Sequence, residues 1–228
     1  MKNHQINSAE GFSLVELMIV LVIISIMSAI TGYYLVNHQK AYKPDEQALQ
    51  IVDILQEARQ RSLTQRETMR VEIDLSDNAI RLIQENQPEP TGAADDELIK
   101  QITLLDPLEV NIEQRPAEIT DNPPETLPAP TAVFKPSIYP SSAPHRVCTI
   151  RFQSNGQAVS AGNSPADGNA PPTGVSLFIW SPNSVNATES DIARAITIIG
   201  TTGSIRMWEY RRDSTDSNKW ADSRRTGS

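Results

Sequence analysis

A single carboxylate lies inside the most apolar stretch of the chain. Residues 12–30 read FSLVELMIVLVIISIMSAI, and Glu16 is the only charged residue among them. An ionisable side chain in a segment that could enter a bilayer is costly, so it is expected to have a partner and a function. The chemistry indicated for Glu16 is pairing with a positive group away from water.

The length and composition of this stretch suit a membrane span. Nineteen helical residues rise about 28 Å, close to the thickness of one hydrocarbon core. Twelve of the nineteen are Phe, Leu, Ile or Val. The favourable free energy of transferring these side chains into a bilayer outweighs the cost of about 3 kcal/mol for inserting one acidic residue. The leader MKNHQINSAEG carries one Lys and one Glu. On these residues alone a single-pass anchor, a cleaved secretory signal and a more specialised segment all stay open.

The other residues that could do chemistry form no recognisable catalytic or metal-binding pattern. The sequence has no G-x-S-x-G, no phosphate-binding glycine loop and no H-E-x-x-H. His4, His38 and His145 are isolated, and Asp95-Asp96-Glu97 lacks the spacing of a calcium loop, so we interpret it as solvated charge. The lone Cys148 excludes an internal disulfide and a cysteine-based metal site, and is expected in the core. We predict no enzymatic activity, no cofactor and no metal.

The string G-F-S-L-V-E followed by an apolar helix resembles the prepilin motif of type IV pilins and type II secretion pseudopilins. The resemblance implies that a prepilin peptidase cuts between Gly11 and Phe12 and methylates the new amino terminus of Phe12. It also implies that Glu16 pairs with the Phe12 amine of a neighbouring subunit during filament assembly. The implied location is the bacterial inner membrane, with a cytoplasmic amino terminus, one span and a periplasmic domain.

The residues after the span change from helical to strand periodicity. From Asp45 onward, apolar and small residues recur on one helical face: Ala48, Ile51, Val52, Leu55, Ala58 and Ser62. Pro44 is expected at a helix start or at a kink. The segments TMRVEIDL and AIRLIQE alternate around Ser76–Asn78, and later strands meet Asn155-Gly156 and Thr201-Thr202-Gly203. A helix followed by about six strands predicts an α+β fold.

Three stretches resemble the GspH/FimT branch of pseudopilins: LQIVDILQEARQRSLTQRETMRVEI, IRFQSNGQAV and ARAITIIGTTGSIR. The resemblance implies a long amino-terminal helix packed on an antiparallel β-sheet domain. The expected organisation is a leader (1–11), a transmembrane part of the helix (12–30), its periplasmic continuation (31–65), a β-rich domain (66–212) and a flexible tail (213–228).

An acidic, proline-rich insertion at 86–146 interrupts the β-rich domain. It holds eleven of the sixteen prolines, and residues 85–125 carry eleven acidic residues against Lys100 and Arg115. Such a composition is expected to bury little and to form loops. The two interpretations are a solvated, variable insertion and a partner-binding surface.

The carboxy-terminal region holds the only candidate nucleic-acid contacts. In DNA-binding members of the resembled family a G-R-x-R pattern lies at the final turn, and here only Arg206 matches it, with Arg211 and Arg212 following. The net charge of −8 argues against a nucleic-acid partner. We therefore predict a minor pseudopilin that assembles with other pseudopilins into a periplasmic pseudopilus for type II secretion. The alternatives are a minor type IV pilin in DNA uptake and a pilus-tip adhesin.

Overall fold

The fold begins with one long helix, α1, which spans Leu14–Gln65. The computed structural model describes residues 13–85, 96–106, 110–112, 115–125, 135–136, 145–159, 172, 174–182 and 190–223. The chain forms two compact units, Met1–Gln39 and Lys40–Ser228. Gly11 and Phe12, the predicted cleavage and methylation residues, lie outside the described residues.

The described part of the first unit is an exposed apolar helix. Leu14–Gly32 is long and apolar enough to cross a membrane, with a mean hydropathy of 2.6 and no part buried. Every large apolar side chain in it is at least 50% exposed. Because none of the residues that the structure describes covers these side chains, the helix fits a single-pass membrane anchor.

In the second unit α1 lays one face on the sheets, as its periodicity predicts. Its predicted stripe is fully buried or nearly so, and Pro44 lies inside the helix rather than at its start. The buried face is wider than predicted, because Ile54 and Gln47 also have no solvent exposure. The Gln47 side-chain oxygen accepts a hydrogen bond from the backbone N–H of Leu105 at 2.7 Å, which satisfies a polar group within the core.

In the described part of the chain, the first sheet contains six antiparallel strands. They are β1 (Thr68–Asp74), β2 (Ala79–Glu85), β3 (Glu97–Thr103), β4 (Lys135–Pro136), β5 (Arg146–Phe152) and β6 (Ala158–Val159). Their order is β3-β2-β1-β5-β4, with β6 paired to β5. The predicted β1–β2 hairpin is confirmed, and Asn78 in its turn has a φ of 53°, a conformation that asparagine tolerates well.

The second sheet contains four antiparallel strands in the order β10-β9-β8-β7. They are β7 (Val175–Pro182), β8 (Ser190–Ile199), β9 (Ser204–Tyr210) and β10 (Trp220–Asp222). Strand β10 lies in the segment that the sequence placed in a flexible tail, and this expectation is corrected for residues 220–222. Trp220 is buried because its ring packs on Phe178 and Tyr210, with centroid separations of 5.9 and 5.2 Å.

The main core lies between α1 and the inner faces of both sheets. Its sheet residues share nearly complete burial and alternate along their strands: Met69, Val71, Ile73, Ile80, Leu82, Cys148, Ile150 and Phe152 from the first sheet, and Val175, Leu177, Ile179, Ile196, Ile198 and Ile205 from the second. The predicted fold class is confirmed: the chain is α+β, with an amino-terminal apolar helix and antiparallel sheets in a pilin-like layout.

Two glycine turns meet beside the end of α1. Gly156 and Gly203 have φ values of 78° and 62°, as the turn positions in the sequence predict. A Cβ at Gly203 would lie 2.0 Å from the Gly156 carbonyl oxygen, and one at Gly156 would lie 2.9 Å from Leu63. The Arg59 guanidinium donates to the Thr202 carbonyl at 3.0 Å, so the β8–β9 turn is fixed against the helix.

Part of the acidic insertion is built into the domain. We call residues 110–112 and 115–125 the cover segment. Asn111 pairs with Trp180 at the edge of β7, with Asn111 N to Trp180 O at 2.7 Å. Val110, Ile112 and Ile119 are at most 4% exposed. The expectation that the insertion buries little is therefore wrong for these residues, because they cover apolar surface that the sheets alone leave open.

Candidate functional site

Glu16 caps its own helix. Its side-chain oxygen accepts a hydrogen bond from the backbone N–H of Ser13 at 3.1 Å, and Leu17 N donates to the Ser13 carbonyl at the same distance. Ser13 to Glu16 thus matches the S-x-x-E capping box, in which the third helical residue reaches back to the cap. The sequence carried this signal. The carboxylate therefore has a role within one subunit besides any role between subunits.

The other half of the predicted Glu16 pair is not described. The Phe12 amine and Gly11 lie outside the described residues, so cleavage, methylation and pairing between subunits stay predictions. Ser13 N–H uses one oxygen of Glu16. A carboxylate has several acceptor positions, so a capped Glu16 can still accept from a second donor.

The three arginines of the DNA-contact hypothesis are all held by carboxylates. Arg206 lies 2.6 Å from Glu125, and Arg212 lies 2.6 Å from Glu118. Arg211 lies 3.5 Å from Glu209 on β9. Glu118 also accepts from the backbone N–H of Ser190 at 2.7 Å. Two of the arginines are thus neutralised by the cover segment.

The outer face of the first sheet carries a buried ionic network that the sequence did not predict. Alternation places its members opposite the core face, and all are at most 7% exposed: Arg70, Glu72, Asp74, Arg81, Glu85 and Arg151. Arg70 pairs with Glu72 at 2.9 Å, with Asp96 at 2.7 Å and with Glu85. Arg151 pairs with Glu85 at 2.8 Å.

Glu72 carries an unsatisfied oxygen within this network. Its Oε2 is buried and has no hydrogen-bond partner among the described residues. Burial raises the pKa of Glu72 to about 7, against the opposing effect of Arg70 and Arg151. Glu72 therefore changes charge near neutral pH, which makes this face sensitive to pH.

Asp74, Asp77 and His145 come close enough to hold a cation, but an arginine already occupies their carboxylates. Arg81 pairs with Asp74 at 2.7 Å and with Asp77. His145 Nδ1 lies 2.7 Å from Asp74. Hydrogen bonds from His145 and Arg81 lower the pKa of Asp74 despite its burial, and the Asp74 carboxylate raises the pKa of His145. The cluster is therefore an ion-pair network.

Two further candidate residues from the sequence, Asp96 and Cys148, lie among the described residues. Asp96, from the acidic string considered for calcium, is engaged by Arg70, while Asp95 lies outside the described residues. Cys148 is buried, as predicted, and burial raises the pKa of its thiol to about 12. A thiol with that pKa is unreactive at neutral pH.

Comparison with known proteins bears on the amino terminus. Residues 6–32 match the family model of the prokaryotic N-terminal methylation motif. The chain matches no curated protein and no solved structure. The motif implies processing by prepilin peptidase and assembly with other pilin subunits, and it indicates a structural subunit of a kind that is typically non-enzymatic. The matched residues and the exposed apolar helix that they include, Leu14–Gly32, support a type IV pilin or pseudopilin.

Proposed function

We propose that this chain is a minor pseudopilin of the GspH/FimT type, which serves type II secretion of folded proteins across the outer membrane. The observation that carries the pilin-like part of the proposal is the coincidence of two features. Residues 6–32 match the methylation motif, and the helix within them exposes apolar side chains all round. A helix of this kind is stable in a bilayer or among similar helices.

The arrangement of charge supports secretion over DNA uptake. Arg206 and Arg212 are paired with carboxylates of the cover segment. A phosphate backbone would have to displace those carboxylates, and the net charge of −8 adds repulsion. Nothing described in the domain favours adhesion.

Within this proposal, Gly11 and Phe12 are the residues at the cleavage site, and the Phe12 amine is methylated. The mature protein waits in the inner membrane with its domain in the periplasm. Glu16 then accepts the Phe12 amine of a neighbour during assembly into the pseudopilus, while its capping bond holds the first turn in place. Two buried opposite charges fix the register between helices.

Processing is tested by the intact mass of the protein extracted from membranes. We expect the loss of eleven residues and the gain of one methyl group. Cleavage near Ala29, with release of a soluble product, would refute the proposal. Gly11→Leu is expected to leave the full-length chain in the membrane, because a side chain before the scissile bond obstructs the peptidase.

A pair of Glu16 variants separates assembly from capping. Glu16→Gln keeps a side chain that can cap, whereas Glu16→Ala removes both cap and charge. We expect both variants to insert and both to lose crosslinks to other prepilin-type subunits. If Glu16→Gln crosslinks like the wild type, capping alone explains the residue and the charge has no part in assembly.

Secretion itself is tested by deleting the gene and complementing it. We expect exported, folded proteins to accumulate in the periplasm of the deletion strain, and the wild-type chain to restore their release. Normal secretion together with a loss of DNA uptake would overturn the secretion assignment and leave the pilin-like class intact.

A further inference from the structure

A groove with a mixed lining lies between the last turns of α1 and the β8–β9 turn. Its volume is about 490 Å³, which is within the range of roughly 300–1,000 Å³ that small-ligand sites occupy. The lining combines one guanidinium, two amides and two hydroxyls with two apolar side chains and a glycine: Gln56, Arg59, Gln60, Leu63, Thr202, Gly203, Ser204 and Ile205. We call these residues the turn groove. A few polar groups that converge on apolar surface are typical of a ligand site.

Arg59 is the cation of the turn groove, and no described carboxylate neutralises it. The only hydrogen bond of its side chain to a described residue goes to the Thr202 carbonyl at 3.0 Å, and its Nε is buried without an acceptor there. The residues three and four positions away on the helix are Leu, Gln, Ser and Leu, so no carboxylate is within reach along α1. By contrast, Arg61 pairs with Glu57 at 2.9 Å, and Arg206 on β9 pairs with Glu125 at 2.6 Å.

The β8–β9 turn holds the Arg59 guanidinium in place. A Cβ at Gly203 would lie 2.9 Å from Arg59 Nε, so the glycine lets the guanidinium rest directly against the backbone of the turn. The bond to the Thr202 carbonyl then fixes its orientation. A guanidinium has five N–H donors, and this arrangement leaves N–H groups of the terminal nitrogens for a ligand. A donor group that is already held in place loses little conformational entropy when a ligand binds.

We propose that the turn groove binds the carboxyl terminus of an extended peptide. A guanidinium matches a carboxylate in charge and in planar shape, and it can donate two parallel N–H bonds to the two carboxylate oxygens. The side-chain amides of Gln56 and Gln60 can both donate to and accept from peptide backbone groups. Leu63 and Ile205 provide apolar surface for one side chain of the peptide. This inference goes beyond the proposed function and does not depend on it.

A phosphate group is the poorer occupant of the turn groove. Arg59 supplies one positive charge, which balances a carboxylate, whereas a phosphate monoester carries about −1.5 to −2 near neutral pH. A nucleic acid adds further negative charges along its backbone, and the net charge of −8 on the chain repels them. The balance of charge therefore favours a single carboxylate.

The test is a fluorescence-anisotropy titration of the full chain in micelles of an uncharged detergent. The probe is the tetrapeptide Gly-Ala-Ala-Leu, labelled at its amino end and free at its carboxyl terminus. The control probe is the same labelled peptide with a carboxamide terminus. We expect saturable binding of the acid with a Kd below about 1 mM. The amide should bind about tenfold more weakly or worse, because it lacks the charge-assisted hydrogen bonds of the carboxylate.

Two variants of the groove and one control locate the binding. Arg59→Gln should weaken binding of the acid about tenfold or more. Arg66→Gln is the matched control, because Arg66 is exposed and does not line the groove, and it should leave the affinity unchanged. Gln60→Glu keeps the bond between Arg59 and Thr202 and changes only an exposed side chain. Its negative charge beside the groove should weaken binding of the acid and leave binding of the amide unchanged.

Several outcomes would overturn the proposal. Equal binding of the acid and the amide, or no saturable binding of the acid, would exclude a carboxylate site. Displacement of the peptide by inorganic phosphate at the same concentration would make the groove a general anion site instead. If Arg59→Gln unfolds the chain, Gln60→Glu decides the question, and an affinity that ignores Gln60→Glu refutes the assignment. Because binding is measured on the isolated chain, none of these outcomes affects the filament function.

Discussion

The outer faces of the two sheets both contain buried residues, yet these residues are of opposite kinds. The second sheet presents an aromatic surface, formed by Phe178, Trp180, Trp208 and Trp220 and covered by Ile119. The first sheet presents arginines and carboxylates that are equally inaccessible to water. The two faces therefore show two different ways of stabilising side chains that are removed from solvent.

The difference lies in how specific the partners must be. An aromatic face gains free energy from area alone, so a single isoleucine from a distant loop can complete it. A charged face loses hydration at every atom, and each charge then needs a matching group at hydrogen-bond distance. We therefore expect truncations on the charged face to be the more damaging.

The largest effect is expected from Arg70→Ala. Arg70 is paired with Glu72, Glu85 and Asp96, and its removal leaves buried carboxylates without their counter-charge. We expect the free energy of unfolding to fall by about 3–5 kcal/mol, measured by urea unfolding of the full chain in detergent micelles. The matched control is Arg206→Ala, which removes one half-exposed pair. Equal losses for the two variants would contradict the proposed role of burial.

The second effect concerns the aromatic face. Ile119 is 1% exposed and packs against this face. Ile119→Ala should cost about 2–4 kcal/mol through lost burial and a cavity. Tryptophan emission should shift to longer wavelength as water reaches the rings. Thr120→Ala, at the exposed neighbouring position, should change neither property, and a similar shift in that control would mean that the cover segment acts as a whole.

The third effect is a pH dependence confined to the charged face. The folded-state pKa of Glu72 is raised to about 7 from 4.5, so the folded chain binds a proton that the unfolded chain has lost. Stability from this group is complete below about pH 4.5, decreases as the pH rises from there to the folded-state pKa of about 7, and is lost above it. Glu72→Gln should remove a loss of roughly 2–3 kcal/mol between about pH 4.5 and pH 7. The exposed Glu67→Gln should leave the pH profile unchanged, and an unaltered profile in Glu72→Gln would refute the assignment.

The smallest effect is expected from Arg212→Ala. Arg212 is 53% exposed and pairs with Glu118, and such surface pairs contribute about 1 kcal/mol or less.

We also expect the wild-type chain to bind duplex DNA only in the weak nonspecific range, roughly 10⁻⁴ M at physiological salt. A mobility-shift titration measures this. Micromolar binding that is lost when Arg206, Arg211 and Arg212 are changed to Ala would favour DNA uptake.

A related variant tests the cover segment against the same arginines. Glu118→Gln combined with Glu125→Gln removes the carboxylates that hold Arg212 and Arg206. If neutralisation by the cover segment is what keeps the arginines from phosphate, DNA affinity should rise in this variant. Unchanged affinity would mean that the overall negative charge is sufficient.

Local patterns in the sequence determined much of this protein. The apolar run, the capping signal at Ser13 and the one-sided stripe of α1 are encoded within a few turns of chain, and a helix forms from such local spacing. The hairpin turns at Asn78 and Gly203 depend on backbone conformations that only a few residue types adopt readily. The methylation motif belongs to the same class, since it is recognised from one short contiguous stretch, residues 6–32.

Only the tertiary structure decided that residues on the outer faces of the two sheets are buried. In β1 the alternation of Arg70, Glu72 and Asp74 with apolar residues predicts one wet face, yet these charges are buried and paired. Likewise, nothing near Ile119 in the sequence indicates that it covers tryptophans from three distant strands. Alternation tells which side of a strand points away from the core. Whether that side meets water depends on segments far away in the chain, whose placement is settled only when the whole domain has folded.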